Sequence, residues 1–237
     1  MLARAKSEKP MIRSTVPPPA DVVLPGFDRL REPHAALAVQ VCQPVEGEAA
    51  RVRSLGVTSC YRQEGASTTA AGLAEAAARL LDRPVLLVDA NVQHPSVAKT
   101  FEVEAGPGLL EVIAGSIQPL EAIRPTRLPA LLTLTAGAES GGKDITIDPA
   151  IFREVMQRLV EAYVLVVVDL PACEENTQAI QLASSLDGVL LVVEAERVHT
   201  HVAKRVKQQL EQAGAELRGV VLNKRPEYVP GWLYRTW

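Results

Sequence analysis

The sequence predicts an α/β domain built on a doubly wound, mostly parallel sheet flanked by helices. Three observations lead there. The aliphatic runs at 164–168 (VLVVV) and 189–193 (VLLVV) lack polar alternation, so they suit strands covered on both faces. Such runs alternate with helix-forming segments along the chain. Hydrophobic residues make up 47% of the 237 positions and aromatics only 4%, so the core has to be aliphatic and alanine-rich.

Taken in order, residues 1–50 read as a polar N-terminal tail, with Pro10, Pro17, Pro18, Pro19 and Pro25 favouring extended chain. A short helix is expected over 27–43, broken near Pro33. The ordered domain is expected over 51–224, starting with a buried strand at 55–58 and a loop at 59–65. An alanine-rich helix follows at 67–81, with Ser67 at its edge as a candidate cap. A strand at 85–88 ends at Asp89, a short helix at 108–114 stops at Gly115, and another strand is expected at 131–135. Asp148 before Pro149 makes an N-cap and first-turn pair for a helix over 149–161. Strands at 164–168, 189–193 and 217–222 and helices at 179–185 and 200–213 complete the pattern, the last helix closed by Gly214. Residues 225–237 form an aromatic and basic C-terminal tail holding Trp232 and Trp237. Such a tail suits a partner groove or a membrane interface, or packs against its own domain.

Composition excludes several classes. A formal net charge of −3 provides no global basic field for nucleic acid. Cys42, Cys60 and Cys173 are far apart and lack C-x-x-C spacing, which argues against a disulfide framework or zinc site and suits a reducing cytosol. The first twenty residues lack the apolar core of a secretory signal, and the aliphatic runs are strand-length, too short to cross a bilayer. His199 and His201 are two apart, a spacing that does not share a helical face.

In an open parallel sheet, ligands sit at the carboxyl ends of the strands. The first strand runs into CYRQEGASTTA and then a helix, the place for a phosphate-binding loop. Such a loop needs glycine for close backbone approach, a lysine for the β- and γ-phosphates, and a hydroxyl for Mg²⁺. Gly65, Ser67 and Thr68 provide two of these parts, while Ala66 stands at the lysine position. A plain strand–helix turn explains the same residues. Asp89 and Asp169 both end buried strands, which suits a metal site or two turn caps. Asn91 and Asn223 carry the same ambiguity.

From Leu55 to Asn223, about 170 residues, the chain resembles the bacterial tyrosine autokinases, cytoplasmic partners or domains of polysaccharide co-polymerases within the MinD/ParA branch of P-loop proteins. VTSCYRQEGASTTAAGLA resembles that family's phosphate loop. VLLVDANVQHPSVAKTF resembles its second motif, with Gln93 where arginine is usual. GPGLLEVIAG resembles a helical motif, YVLVVVDLPA the second aspartate strand, and GVVLNK the last strand. The resemblance implies a P-loop NTPase-like fold, ATP or ADP with Mg²⁺ as ligands, and metal contact through Ser67, Asp89 and Asp169. It also implies that Asp89 and Asn91 face the attacking group, and that Gly65, Ser67, Thr68 and Asn223 contact the nucleotide, Asn223 at the adenine. Arg62, in the same loop, is a candidate substitute for the lysine.

The departures shape the functional expectation. A charged hydrogen bond is worth about 1.5–3 kcal/mol, so losing the lysine weakens nucleotide binding roughly 10- to 150-fold. Loss of one donor to transition-state charge costs a further ~10²–10³ in rate. The helical E-x-x-R-x-x-R motif that relatives use to form rings is not intact in FDRLREPHAAL, and the tyrosine cluster is reduced to Tyr228 and Tyr234. The resemblance therefore implies a catalytically impaired partner of a membrane polysaccharide co-polymerase, cytoplasmic and peripheral at the inner face of the plasma membrane. It would serve exopolysaccharide, capsule or polysaccharide-adhesin synthesis and export. An active tyrosine autokinase is the alternative. A MinD/ParA-like positioning ATPase is the third, disfavoured by Tyr61 where that class carries its dimer-spanning lysine.

Overall fold

The structure is a computed structural model that describes residues 31–42, 52–104, 106–142, 145–174 and 177–225. The expectations for 1–30 and for the C-terminal tail, Tyr228, Tyr234, Trp232 and Trp237 included, lie outside the described residues.

Strands β1 (Ser54–Ser59), β2 (Val85–Asp89), β3 (Arg124–Pro125), β4 (Leu131–Leu134), β5 (Leu165–Asp169), β6 (Gly188–Glu194) and β7 (Leu217–Asn223) form one sheet. Their order is β3-β4-β2-β5-β1-β6-β7, parallel throughout except for the short antiparallel pair of β3 with β4. The sequence predicts six of these strands. The seventh, β3, is two residues long and contains Pro125, so no strand pattern announces it.

The aliphatic strands are buried on both faces because successive side chains point to opposite sides. Leu86, Val88, Val166, Val168, Leu191 and Val193 pack with α6 (Pro149–Ala162), α7 (Thr177–Ala183), α8 (Thr200–Gln212) and α4 (Leu109–Ile113). Val85, Leu87, Leu165, Val167, Leu190 and Val192 pack on the other face with α2 (Ala66–Leu81), α3 (Val97–Phe101) and α1 (Arg31–Cys42). Small side chains let α2 lie close to the sheet, and Ala70, Leu73, Ala74 and Ala77 are fully buried.

Asp148 caps α6 as its sequence predicts, accepting from the amides of Ala150 and Ile151 at 2.8 and 3.2 Å. Helix α1 differs from expectation: it is unbroken at Pro33, because that proline lies in the first turn, where the missing N–H has no intrahelical partner to lose. It also packs on the domain, with Ala38 fully buried and His34 seated on α2 over Gly72. Two short helices, α3 and α5 (Pro119–Ala122), have too few residues to show a period. His199 and His201 stack with ring centroids 5.5 Å apart. The helical spacing rule does not apply to them, because His199 is the N-cap outside α8.

The α1–α2 contact yields a direct expectation. A Cβ at Gly72 would lie 2.0 Å from His34 Nδ1. Gly72→Ala should therefore destabilise the fold by about 1–3 kcal/mol despite its better helix propensity, read as a lower urea midpoint. A midpoint that rises would contradict this packing.

Candidate functional site

The three central strands β2, β5 and β1 lie side by side, and their carboxyl ends assemble the site. Asp89 and Asp169 are paired in register, and the Ala90 amide donates to the Asp169 carbonyl at 2.9 Å. Both aspartates are buried, 1% and 0% exposed. Asp89 Oδ2 accepts from the amides of Ser96 and Val97, both at 2.9 Å, and Oδ1 accepts from Asn91 at 3.2 Å. Asp89 thus holds the first turn of α3. Burial pushes its carboxyl up to about 6, with the three amides pulling the other way.

Asp169 is different. Neither carboxylate oxygen has a hydrogen-bond partner, although both are buried. Burial raises its pKa well above the carboxylate range and the neighbouring Asp89 charge adds to this, while the hydroxyls of Ser67 and Ser96 lower it. Those hydroxyls are near enough to act on the charge without closing a bond of good geometry. Two adjoining acids, one with orphaned oxygens, fit a hard divalent cation. Asp169, Ser67 and the spare lone pair of Asp89 would hold Mg²⁺. The described residues contain no group of three or more acids, histidines and cysteines able to cage a metal. Mg²⁺ takes several of its oxygens from water and phosphate. When bound, Mg²⁺ would neutralise phosphate charge.

The phosphate loop runs from β1 to α2. Gly65 is the N-cap, in the left-handed region at φ 97°, and no side chain caps the helix. Ser67 is therefore not the cap that its sequence position suggests. The turn at Gly65 starts the helix one residue earlier than expected, and Ser67 lies within the first turn, near Asp169. A Cβ at Gly65 would also lie 2.1 Å from Asn223 Nδ2. That amide donates to the Glu64 carbonyl at 2.8 Å, so Asn223 closes on the loop from β7. Ala66 begins the helix and is 9% exposed.

Glu64 is fully buried inside the loop. Its Oε2 accepts from the Cys60 amide at 3.1 Å, and Oε1 has no partner. Burial raises its pKa against the amides of Cys60 and Tyr61. Burial also pushes the thiols of Cys60 and Cys173 up to about 12 and about 11, so both stay protonated and unreactive at neutral pH. The segment after β5 runs beside this loop: Thr58 Oγ1 donates to the Pro171 carbonyl at 2.6 Å, and the Cys173 amide to the Ser59 carbonyl at 2.9 Å.

The structure thus brings Gly65, Ser67, Asp89, Asp169 and Asn223 to one corner. Thr68 and Arg62 are exposed, and Asn91 is partly buried, its carbonyl accepting from His94 at 3.0 Å. Gln93 reaches the Ile145 carbonyl at 3.4 Å. Ser96 belongs to the site through Asp169, as do Glu64 and the β6–β7 ends through the loop. Only the neighbours of Asn223 and the Pro95–Ser96 pair hint at them in the sequence.

A glycine-turned loop after a central parallel strand, facing two strand-end aspartates, is the arrangement of a P-loop NTPase-like domain. No family model matches the chain. It is 28% identical over 176 residues to the tyrosine-protein kinase CpsD of Streptococcus agalactiae, covering 74% of this chain and 76% of that protein. The kinase domain of VpsO superposes with a TM-score of 0.70 at 26% identity, covering 85% of this chain and all of that one. The septum site-determining protein MinD of Pyrococcus horikoshii, solved with Mg-ADP, superposes at a TM-score of 0.65 and 25% identity, over 77% of this chain and 76% of that one. The chain is similar to bacterial tyrosine-protein kinases and, in fold, to ATPases of the MinD kind.

The orphaned Asp169 carboxylate sets a testable balance. A group whose folded pKa is raised loses stability as pH rises from its unfolded value through its folded one. In metal-free protein, Asp169→Asn should raise the melting temperature, with the gain over wild type widening as pH climbs above the ordinary carboxylate range. Mg²⁺ should stabilise wild type more than the variant. Equal melting temperatures across pH would contradict an unpaired carboxylate at this position.

Proposed function

We propose that this chain is a tyrosine-kinase-like protein of exopolysaccharide, capsule or polysaccharide-adhesin synthesis and export. In this reading it acts as a catalytically impaired partner of a membrane polysaccharide co-polymerase, at the inner face of the bacterial plasma membrane. The observation that carries the impairment is Ala66 at the head of α2, where a phosphate loop of this kind needs lysine. The kinship with tyrosine-protein kinases supports the pathway. No helix among the described residues is long and apolar enough to cross a membrane, so the reading assigns membrane contact to the partner. The domain is taken as 51–224, with α1 packed on it and the C-terminal tail as a contact segment.

A second reading is an active ATPase and tyrosine autokinase. The retained metal corner, with both Asp169 oxygens waiting beside Ser67, favours some nucleotide contact.

Two experiments test the proposal. Deleting the gene should change the amount or chain length of the surface polysaccharide, and an unchanged polysaccharide would overturn the pathway assignment. Incubation with labelled ATP and the membrane partner should leave the chain without phosphotyrosine. Labelling that disappears in Asp169→Ala would put the active kinase in its place.

A further inference from the structure

Three successive carbonyls of the phosphate loop are held by three side chains from the β6 and β7 ends. Arg197 Nη1 donates to the Arg62 carbonyl at 3.1 Å, Lys224 Nζ to that of Gln63 at 2.5 Å, and Asn223 Nδ2 to that of Glu64 at 2.8 Å. One carboxylate sets both cations: Glu194 Oε2 lies 2.9 Å from Arg197 and 3.2 Å from Lys224.

Backbone geometry gives this arrangement a consequence. A trans peptide is planar, so the N–H after each carbonyl points the opposite way. With the carbonyls of 62, 63 and 64 drawn toward β6 and β7, the amides of Gln63, Glu64 and Gly65 face away from that edge. The amides of Gly65, Ala66, Ser67 and Thr68, at the N-cap and in the first turn of α2, have no intrahelical acceptor. They form a run of donors at a helix N-terminus. Strain collects at the same place. Gln63, Glu196 and Lys224 all have left-handed φ, 66°, 64° and 53°, a conformation that costs a non-glycine residue and persists where surrounding contacts impose it.

We propose that Arg197, Lys224 and Asn223 are positioning residues that lock the loop's amides toward a bound phosphate. The ligand class is a nucleoside diphosphate or pyrophosphate, gripped by backbone dipoles in a loop that lacks its lysine. This rests on the reading that the loop is a phosphate site. The two cations act from outside the loop, on carbonyls, and do not touch the phosphate. Their role is to remove the loop's freedom before binding.

The test uses the full chain with Arg197→Met/Lys224→Met, and Lys224→Arg as the conservative control. Both side chains are about half exposed, 44% and 47%, so the fold should survive. Amide order parameters at Gln63, Glu64 and Gly65 should fall from about 0.85 to below about 0.6 in the double variant, with those of β5 unchanged. Mg-ADP should bind the double variant about tenfold or more weakly, and Lys224→Arg should restore both readings close to wild type. Amides that stay rigid in the double variant, or an affinity that is unchanged although they have loosened, would overturn the proposal. If wild type binds no Mg-ADP, the phosphate reading itself fails, and the order parameters alone then decide whether the clamp exists.

Discussion

The in-register pairing of β2 with β5 is the constraint on which the site depends. It sets Asp89 and Asp169 side by side at the carboxyl edge of a sheet buried on both faces, with almost no water to screen them. Two adjacent buried carboxyls cannot both ionise without a counter-charge. Asp89 resolves its share through three backbone amides. Asp169 has only the nearby hydroxyls of Ser67 and Ser96, and neither of its oxygens closes a hydrogen bond. An uncompensated group of this kind costs stability and is kept where a ligand completes it. In the proposed reading the two aspartates are the cation-facing half of a nucleotide site, and Ala66 stands where the phosphate-facing half would carry lysine.

The two halves differ in what remains to bind with. On the proposed metal side, Ser67 and the two aspartates lie on strand ends and the first turn of α2. On the proposed phosphate side the donors would be backbone amides, whose direction depends on how the loop's carbonyls are held. Side chains from β6 and β7 hold them, so the far edge of the sheet reaches into a site built at its centre. Asn223 illustrates the coupling: the resemblance implies an adenine contact, and in this structure its amide also closes over Gly65.

Much of this was legible in the sequence. The aliphatic runs at 164–168 and 189–193 announced a sheet covered on both faces, and Asp148–Pro149 announced the start of α6, because those features depend on local pattern. Asp89 and Asp169 were legible as strand ends. Their different fates were not: α3 is held at its start by a carboxylate seven residues earlier, and nothing local marks that bond. Pro33 misled because a breaker inside a helix and a proline in its first turn look alike until the start of the helix is known. Ser67 misled as a cap for the related reason that Gly65, in a left-handed turn, starts the helix before it. The roles of Arg197 and Lys224 needed the folded chain, since they act on residues 135 and 161 positions away.

In the proposed reading, alanine at position 66 is what separates this chain from a working nucleotide site. Calorimetric titration with Mg²⁺–ADP and Mg²⁺–ATP, wild type against Ala66→Lys, tests it most directly. The expected result is weak but measurable binding by wild type and binding roughly 10- to 150-fold tighter in Ala66→Lys. Micromolar binding by wild type, unimproved in Ala66→Lys, would contradict the account and move the active ATPase ahead.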